Sequence, residues 1–140
     1  MQLDNTKQFK AVDLMNLFKS VGWETDTNPV ILQSAMLHSS RVVSIWDNSK
    51  LIGLIRCFDD GCWSAVIDCL VVHREYQRQG IATKLIYELL KQIKNIATVY
   101  VAPDERTKFN LYKHVGFEEK ASGGLLVLNW KSFEEQCIVK

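Results

Sequence analysis

The chain has 140 residues, 47% of them hydrophobic and 24% charged, with a formal net charge of +1. That length suits one domain, expected over residues 1–140, and the composition is that of a globular chain rather than a disordered one. A charge balance this even carries no electrostatic footprint for nucleic acid or an anionic membrane surface, so neither is expected as a partner.

The first residues, MQLDNTKQFK, are polar throughout and offer at most a few strand residues at Met1 to Asp4. They contain no apolar core of a secretory signal, and no apolar run reaches the ~20 residues that cross a bilayer, so the cytoplasm is the expected location. Val12, Leu14, Met15, Leu17, Phe18 and Val21 then recur at helical spacing up to Gly22. Pro29 opens a second short helix, VILQSAMLHSS, in the position proline prefers.

RVVSIWD and KLIGLIRCF, joined by Asn48-Ser49, predict an antiparallel hairpin. Asp59-Asp60-Gly61 turns the chain into a third strand, WSAVIDCLVV. From Ile81 to about Lys94, Ile81, Leu85, Ile86, Leu89, Leu90 and Ile93 mark one apolar helix face, with Lys84, Glu88, Lys91 and Lys94 opposite. ATVYVAP is a fourth strand, TKFNLYKHVGF a short helix closed by Gly116, and LLVLNW a last strand. The order implies a mixed sheet with helices on both faces. Cys57, Cys62, Cys69 and Cys137 form no CxxC pair, and Cys57, Cys62, Cys69 and His73 match no structural-zinc spacing. Buried reduced thiols and no metal are expected.

The join between the third strand and the long helix reads VVHREYQRQGIA, with Gly80 the sole glycine between residues 62 and 115. A helix N-terminus presents unpaired N–H groups and a positive dipole end, which favour phosphate. Gly80 and Ala82 leave a phosphate chain room to approach, and Arg78 and Lys84 add positive charge. Neither GxGxxG after a strand nor GxxxxGK[ST] is present, so this is a different cradle from the dinucleotide and nucleoside-triphosphate motifs. A glycine that merely eases the chain into a helix is the competing reading.

Gln77-Arg78-Gln79-Gly80-Ile81-Ala82 resembles the [Q/R]xxGx[G/A] signature of the GNAT superfamily of acyl-CoA N-acyltransferases. LVVHREY is similar to that family's strand and approach to the turn, and LYKHVGF to its tyrosine-bearing helix end. The resemblance implies an α+β fold whose mixed, mostly antiparallel central sheet splays at the acyl-CoA site. It implies acetyl-CoA as cosubstrate, with backbone of Leu70, Val71 and Val72 pairing with the pantetheine arm. Residues Gln77, Arg78, Gln79, Gly80, Ile81, Ala82 and Thr83 would then surround the diphosphate. Arg74, Arg78, Arg106 and Lys108 are the basic candidates for the 3′-phosphate.

By the same resemblance, Tyr112 is the general acid that reprotonates the departing thiolate. Its competing reading is a core residue, since Phe109, Tyr112 and Val115 lie on one helix face. Asp68, on the parity of Leu70 and Val72 in an apolar strand, is a candidate base or water-ordering group; its alternative is an ion pair. Glu24 beside Trp23 is the second candidate base. His38, His73 and His114 are isolated, and Cys69 is a weak acyl-enzyme candidate beside direct transfer. Phe18, Trp23, Met36 and His38, with Glu24, Asp26 and the Ser122 to Leu125 turn, would border the acceptor.

The activity expected is direct acetyl transfer to a primary amine of a small molecule. The alternatives are a non-catalytic acyl-CoA sensor, a peptide or protein N-acetyltransferase, and a structural α/β domain. The oligomeric state, a homodimer among the options, is open.

Overall fold

The structure, a computed structural model, describes residues 1–23, 28–120 and 124–139, apart from the side chains at 106, 138 and 139. The elements are β1 (Gln2–Asp4), α1 (Ala11–Ser20), α2 (Pro29–His38), β2 (Arg41–Asp47), β3 (Lys50–Asp59), β4 (Ser64–Val72), a single 3-10 turn (Arg74–Tyr76), α3 (Ile81–Gln92), β5 (Thr98–Val101), α4 (Arg106–Val115), β6 (Phe117–Glu119), β7 (Leu126–Leu128) and α5 (Trp130–Val139). The sheet has seven strands in the order β1-β2-β3-β4-β5-β7-β6. The β1/β2, β2/β3, β5/β7 and β6/β7 pairs are antiparallel and β4/β5 is parallel, so the fold is α+β with a mostly antiparallel sheet. Among the described residues no helix is long and apolar enough to cross a membrane.

The chain forms two compact units, Met1–Phe58 with Cys69–Gln92, and Asp59–Asp68 with Ile93–Lys140. In the first, Leu14, Leu17 and Phe18 of α1 are buried with Phe9, Met36, Val42, Leu51, Leu54 and Val71 in one apolar cluster. Asn28 caps α2, its side chain accepting the Val30 N–H at 2.9 Å, and Pro29 follows in the first turn. The α3 face predicted from periodicity is buried at Ile81, Leu85, Ile86, Leu89 and Leu90. Each of those side chains contributes about 2 kcal/mol by leaving water. Gly53 allows the close approach of α3 to the strands: a Cβ there would stand 3.1 Å from Leu85 Cδ1 and 3.1 Å from Ile45 Cγ2.

In the second unit Ala65, Ile67, Val99, Val101, Tyr112, Val115, Phe117 and Leu126 are buried. Asp60 organises the turn after β3, one carboxylate oxygen accepting the N–H groups of Cys62, Trp63 and Ser64 at 3.0, 2.7 and 3.1 Å. These backbone donors hold its carboxyl below the usual range.

Several expectations are corrected here. Sequence patterning anticipated neither β6 nor α5, although α5 carries a readable start signal: Asn129 accepts the Ser132 N–H at 3.1 Å as an N-cap. Buried thiols were expected, yet Cys57 alone is buried, while Cys62 is exposed and Cys69 and Cys137 are half-buried. Cys62 lies in the Asp60 turn rather than in a strand, which is why it faces solvent.

Candidate active site

The path to the phosphate turn starts inside β4. Cys69 has a left-handed backbone, φ 68°, which a non-glycine residue seldom adopts. One such residue in a strand breaks the two-residue alternation, as a bulge does. Ser64 to Asp68 alternate toward and away from solvent, whereas Leu70, Val71 and Val72 are buried in succession. The expected shared face of Asp68, Leu70 and Val72 is therefore lost. Asp68 is also exposed, so no burial cost argues for a special role there. The parallel register with β5 runs from Ser64↔Thr98 to Ile67↔Val101 and stops. Beyond it the His73 N–H still donates to Ile52 C=O of β3 at 2.8 Å. The regular parallel pairing of β4 thus ends before the strand does.

After Val72 the chain folds into the 3-10 turn. His73 caps it, Nδ1 accepting the Glu75 N–H at 3.1 Å, which requires that nitrogen to be unprotonated. Partial burial and the Lys50 ammonium depress the His73 pKa, against a smaller opposing pull from Glu75. A histidine with a depressed folded pKa binds protons less readily than the unfolded chain, so its contribution to stability is complete above about pH 6.5 and is lost as pH falls through the folded value. Chemical denaturation at pH 7.5 and pH 5.5 is expected to show this loss in the native chain. It should be absent in His73→Asn, which retains a capping oxygen; equal losses in both would assign the pH dependence elsewhere.

Gln77 to Gly80 make the turn itself, and all four residues are exposed. Arg78 and Gly80 are both left-handed, at φ 64° and φ 80°. Left-handed residues in such a turn direct successive N–H groups to one side, the arrangement that forms an anion-binding concavity. The first bond of α3 is Lys84 N–H to Gly80 C=O at 3.1 Å. Ile81, Ala82 and Thr83 consequently have N–H groups at the open helix end with no acceptor one turn earlier. A Cβ built on Gly80 would meet nothing within 4 Å. The space over the turn is open, and within the chain it is the backbone angle, not a close contact, that favours glycine here. Gln77 Nε2 donates to Val72 C=O at 3.0 Å and ties the turn to the end of β4.

The four basic candidates for the 3′-phosphate differ. Arg74 is engaged with α1, its Nε donating to Ser20 C=O at 2.9 Å and its N–H to Ser20 Oγ at 3.2 Å. Lys108 pairs with Asp104 at 3.2 Å. The side chain at 106 lies outside the described residues, and Arg78 is exposed within the turn.

In the second unit Tyr112 is 2% exposed and meets Phe117 edge-on, ring centroids 5.2 Å apart. Its helical partner Val115 is fully buried. The phenol is thus held in one orientation by packing. Glu24, Asp26, Ser122 and Gly123 lie outside the described residues.

The expected acceptor walls are partly displaced. Phe18 and Met36 are core residues of the first unit, and Trp23 stacks on Phe18 at 5.4 Å instead of standing free. Phe18 and Met36 face inward with Leu14 and Leu17 in the same apolar cluster. His38 is exposed and its Nδ1 lies 2.8 Å from Ser34 O. A cavity of about 400 Å³ opens beside α2, with Lys7, Phe9, Val30, Gln33 and Leu37 among its walls. It carries a cation and no carboxylate among the described residues, which is the wrong charge for an ammonium acceptor.

Residues 9–117 match the model of the acetyltransferase (GNAT) family. An uncharacterized N-acetyltransferase, ycf52, of Porphyra purpurea is 27% identical over 129 residues, which span 86% of this chain and 72% of the relative. The acetyltransferase SP0256 of Streptococcus pneumoniae, a GNAT family protein, is 31% identical, with a TM-score of 0.73 and coverage of 87% of this chain and 93% of that one. A PaiA N-acetyltransferase from Thermoplasma acidophilum, solved in complex with coenzyme A, shares the fold at 18% identity and a TM-score of 0.64, covering 91% of this chain and 97% of its own. The family model spans most of the sequence, and the chain belongs to the GNAT family of acetyltransferases.

Proposed function

We propose that the protein transfers an acetyl group directly from acetyl-CoA to a primary amine of a small molecule. The observation that carries this reading is the turn with left-handed Arg78 and Gly80, open above and set at the N-terminus of α3. In this reading the N–H groups of Arg78 to Thr83 hold the diphosphate, the Arg78 side chain supplies mobile positive charge, and the main chain of Leu70, Val71 and Val72 aligns the pantetheine arm. The amine lone pair attacks the thioester carbonyl carbon, and an amine that loses its proton first is the nucleophile. The tetrahedral intermediate collapses by breaking the C–S bond, and the thiolate takes a proton. Tyr112 donates that proton and regains one from solvent; with a thiol pKa of about 8.5 the leaving group ends as the neutral thiol at neutral pH. Asp68, exposed and able to exchange protons with solvent, receives the amine proton through water, with Glu24 as the second candidate.

A small cationic amine is favoured by the Glu24 and Asp26 carboxylates that follow Trp23 in the sequence. Thiol release from acetyl-CoA, measured over a panel of polyamines, arylalkylamines, amino sugars, amino acids and peptide N-termini, tests the reading. Release that requires a small amine is expected. Release with peptides alone would move the acceptor class, and binding of acetyl-CoA with no release for any amine would make the protein an acyl-CoA sensor.

A further inference from the structure

We infer that Tyr76 and Asp47 form a positioning pair that sets the geometry of the diphosphate turn, an inference that rests on reading Gln77 to Thr83 as the cradle. The turn cannot hold itself by burial, because Gln77, Arg78, Gln79 and Gly80 are all exposed. Arg78, a side-chain-bearing residue, is left-handed, a conformation that neighbours must impose. On the downstream side the constraint is α3, whose first residue, Ile81, is buried.

On the upstream side it is Tyr76, the residue immediately before the turn. Its hydroxyl donates to Asp47 Oδ2 at 2.7 Å. Asp47 ends β2 beside Asn48, itself left-handed at φ 54°, so the acceptor sits on a tight hairpin. Lys50, the first residue of β3, lies 5.3 Å from the Tyr76 ring centroid and pairs with Glu75 at 3.8 Å. His73 packs edge-on against the same ring at 5.7 Å. The Asp47 carboxylate raises the Tyr76 pKa above the ordinary phenol value, so the phenol remains a donor throughout the neutral range. A charge-assisted bond of this kind is among the stronger and more directional ones available to side chains.

Removing the hydroxyl leaves every N–H group of the turn in place but unfixes the end that aims them. The loss should therefore fall on the diphosphate and spare the pantetheine arm. Titration calorimetry of the full chain with coenzyme A and, separately, with pantetheine distinguishes this from general loosening. The native chain is expected to bind coenzyme A far more tightly than pantetheine. Tyr76→Phe and Asp47→Ala should weaken coenzyme A roughly tenfold, the cost of a charge-assisted bond, with pantetheine unchanged. Asp47→Asn, which retains an acceptor oxygen without the charge, should lose less coenzyme A affinity than Asp47→Ala, and an equal loss in the two overturns the role of the Tyr76 bond. Native affinity for coenzyme A in Tyr76→Phe, or an equal loss for both ligands, overturns the positioning role. A native chain with no preference for coenzyme A over pantetheine would remove the cradle itself, a separate and distinguishable failure.

Discussion

Acetyl-CoA at about a hundredfold over its dissociation constant is expected to raise the melting temperature of the native chain by on the order of 5–10 °C, and to leave Gly80→Val nearly unmoved. Two effects combine in this variant. At φ 80° a residue bearing a Cβ is strained, and a β-branched one more so, which costs the unliganded fold about 1–2 kcal/mol. The isopropyl group would also occupy the open space over the turn that the diphosphate requires. Gly80→Ala separates the two, since it carries most of the backbone cost with little of the bulk. A graded loss, small in the alanine variant and nearly complete in the valine variant, is the expected pattern. An undiminished shift in Gly80→Val would falsify the assignment of this turn to the diphosphate.

The second large effect is on turnover. Tyr112→Phe should lower kcat by roughly 10²–10⁴-fold, the usual contribution of a positioned acid, while the KM for acetyl-CoA changes little. The phenyl ring preserves the edge-on contact with Phe117 and the buried packing of α4, so the variant should fold. Loss of the hydroxyl costs about 1–3 kcal/mol of stability where it leaves a buried partner unsatisfied, and a denaturant midpoint measured beside the kinetics identifies that part. Native turnover in Tyr112→Phe assigns the residue to the core alone. A low kcat that is restored at high pH points instead to deprotonation of the amine as the limiting step, and to Asp68 or Glu24 as the group to alter next.

The charge pattern near the turn bears on which residues belong in such experiments. Arg74 lies close to the turn in sequence, but its guanidinium and its amide both bond Ser20 at the end of α1. Its replacement would loosen the α1 terminus as well as remove a charge, and a weaker cofactor response would then be ambiguous. Arg78 is free of that complication, since it is exposed in the turn.

Local chemistry was sufficient for much of this chain. Hydrophobic period predicted α1 and α3, whose buried faces repeat every 3.6 residues, and apolar runs bounded by turn residues predicted the β2–β3 hairpin and β4, of which β2 and β3 are buried at consecutive positions. Gly80 and the apolar face that starts at Ile81 identified the turn, since a positive φ and an open helix end are properties of a few consecutive residues. The short β6 and the helix α5 escaped, the first because three residues carry no measurable period. What tertiary structure alone decided concerns residues whose state depends on distant neighbours. The left-handed Cys69 ends the strand's alternation, so Asp68 is exposed while Leu70, Val71 and Val72, two of which share its parity, are all buried. Phe18 and Met36 could have lined a pocket and instead complete a core, and Asp47 could not be linked to Tyr76, 29 positions away, by any local rule. Backbone preference and periodicity act over a few residues, whereas burial and long-range hydrogen bonds exist only once the chain has folded back on itself.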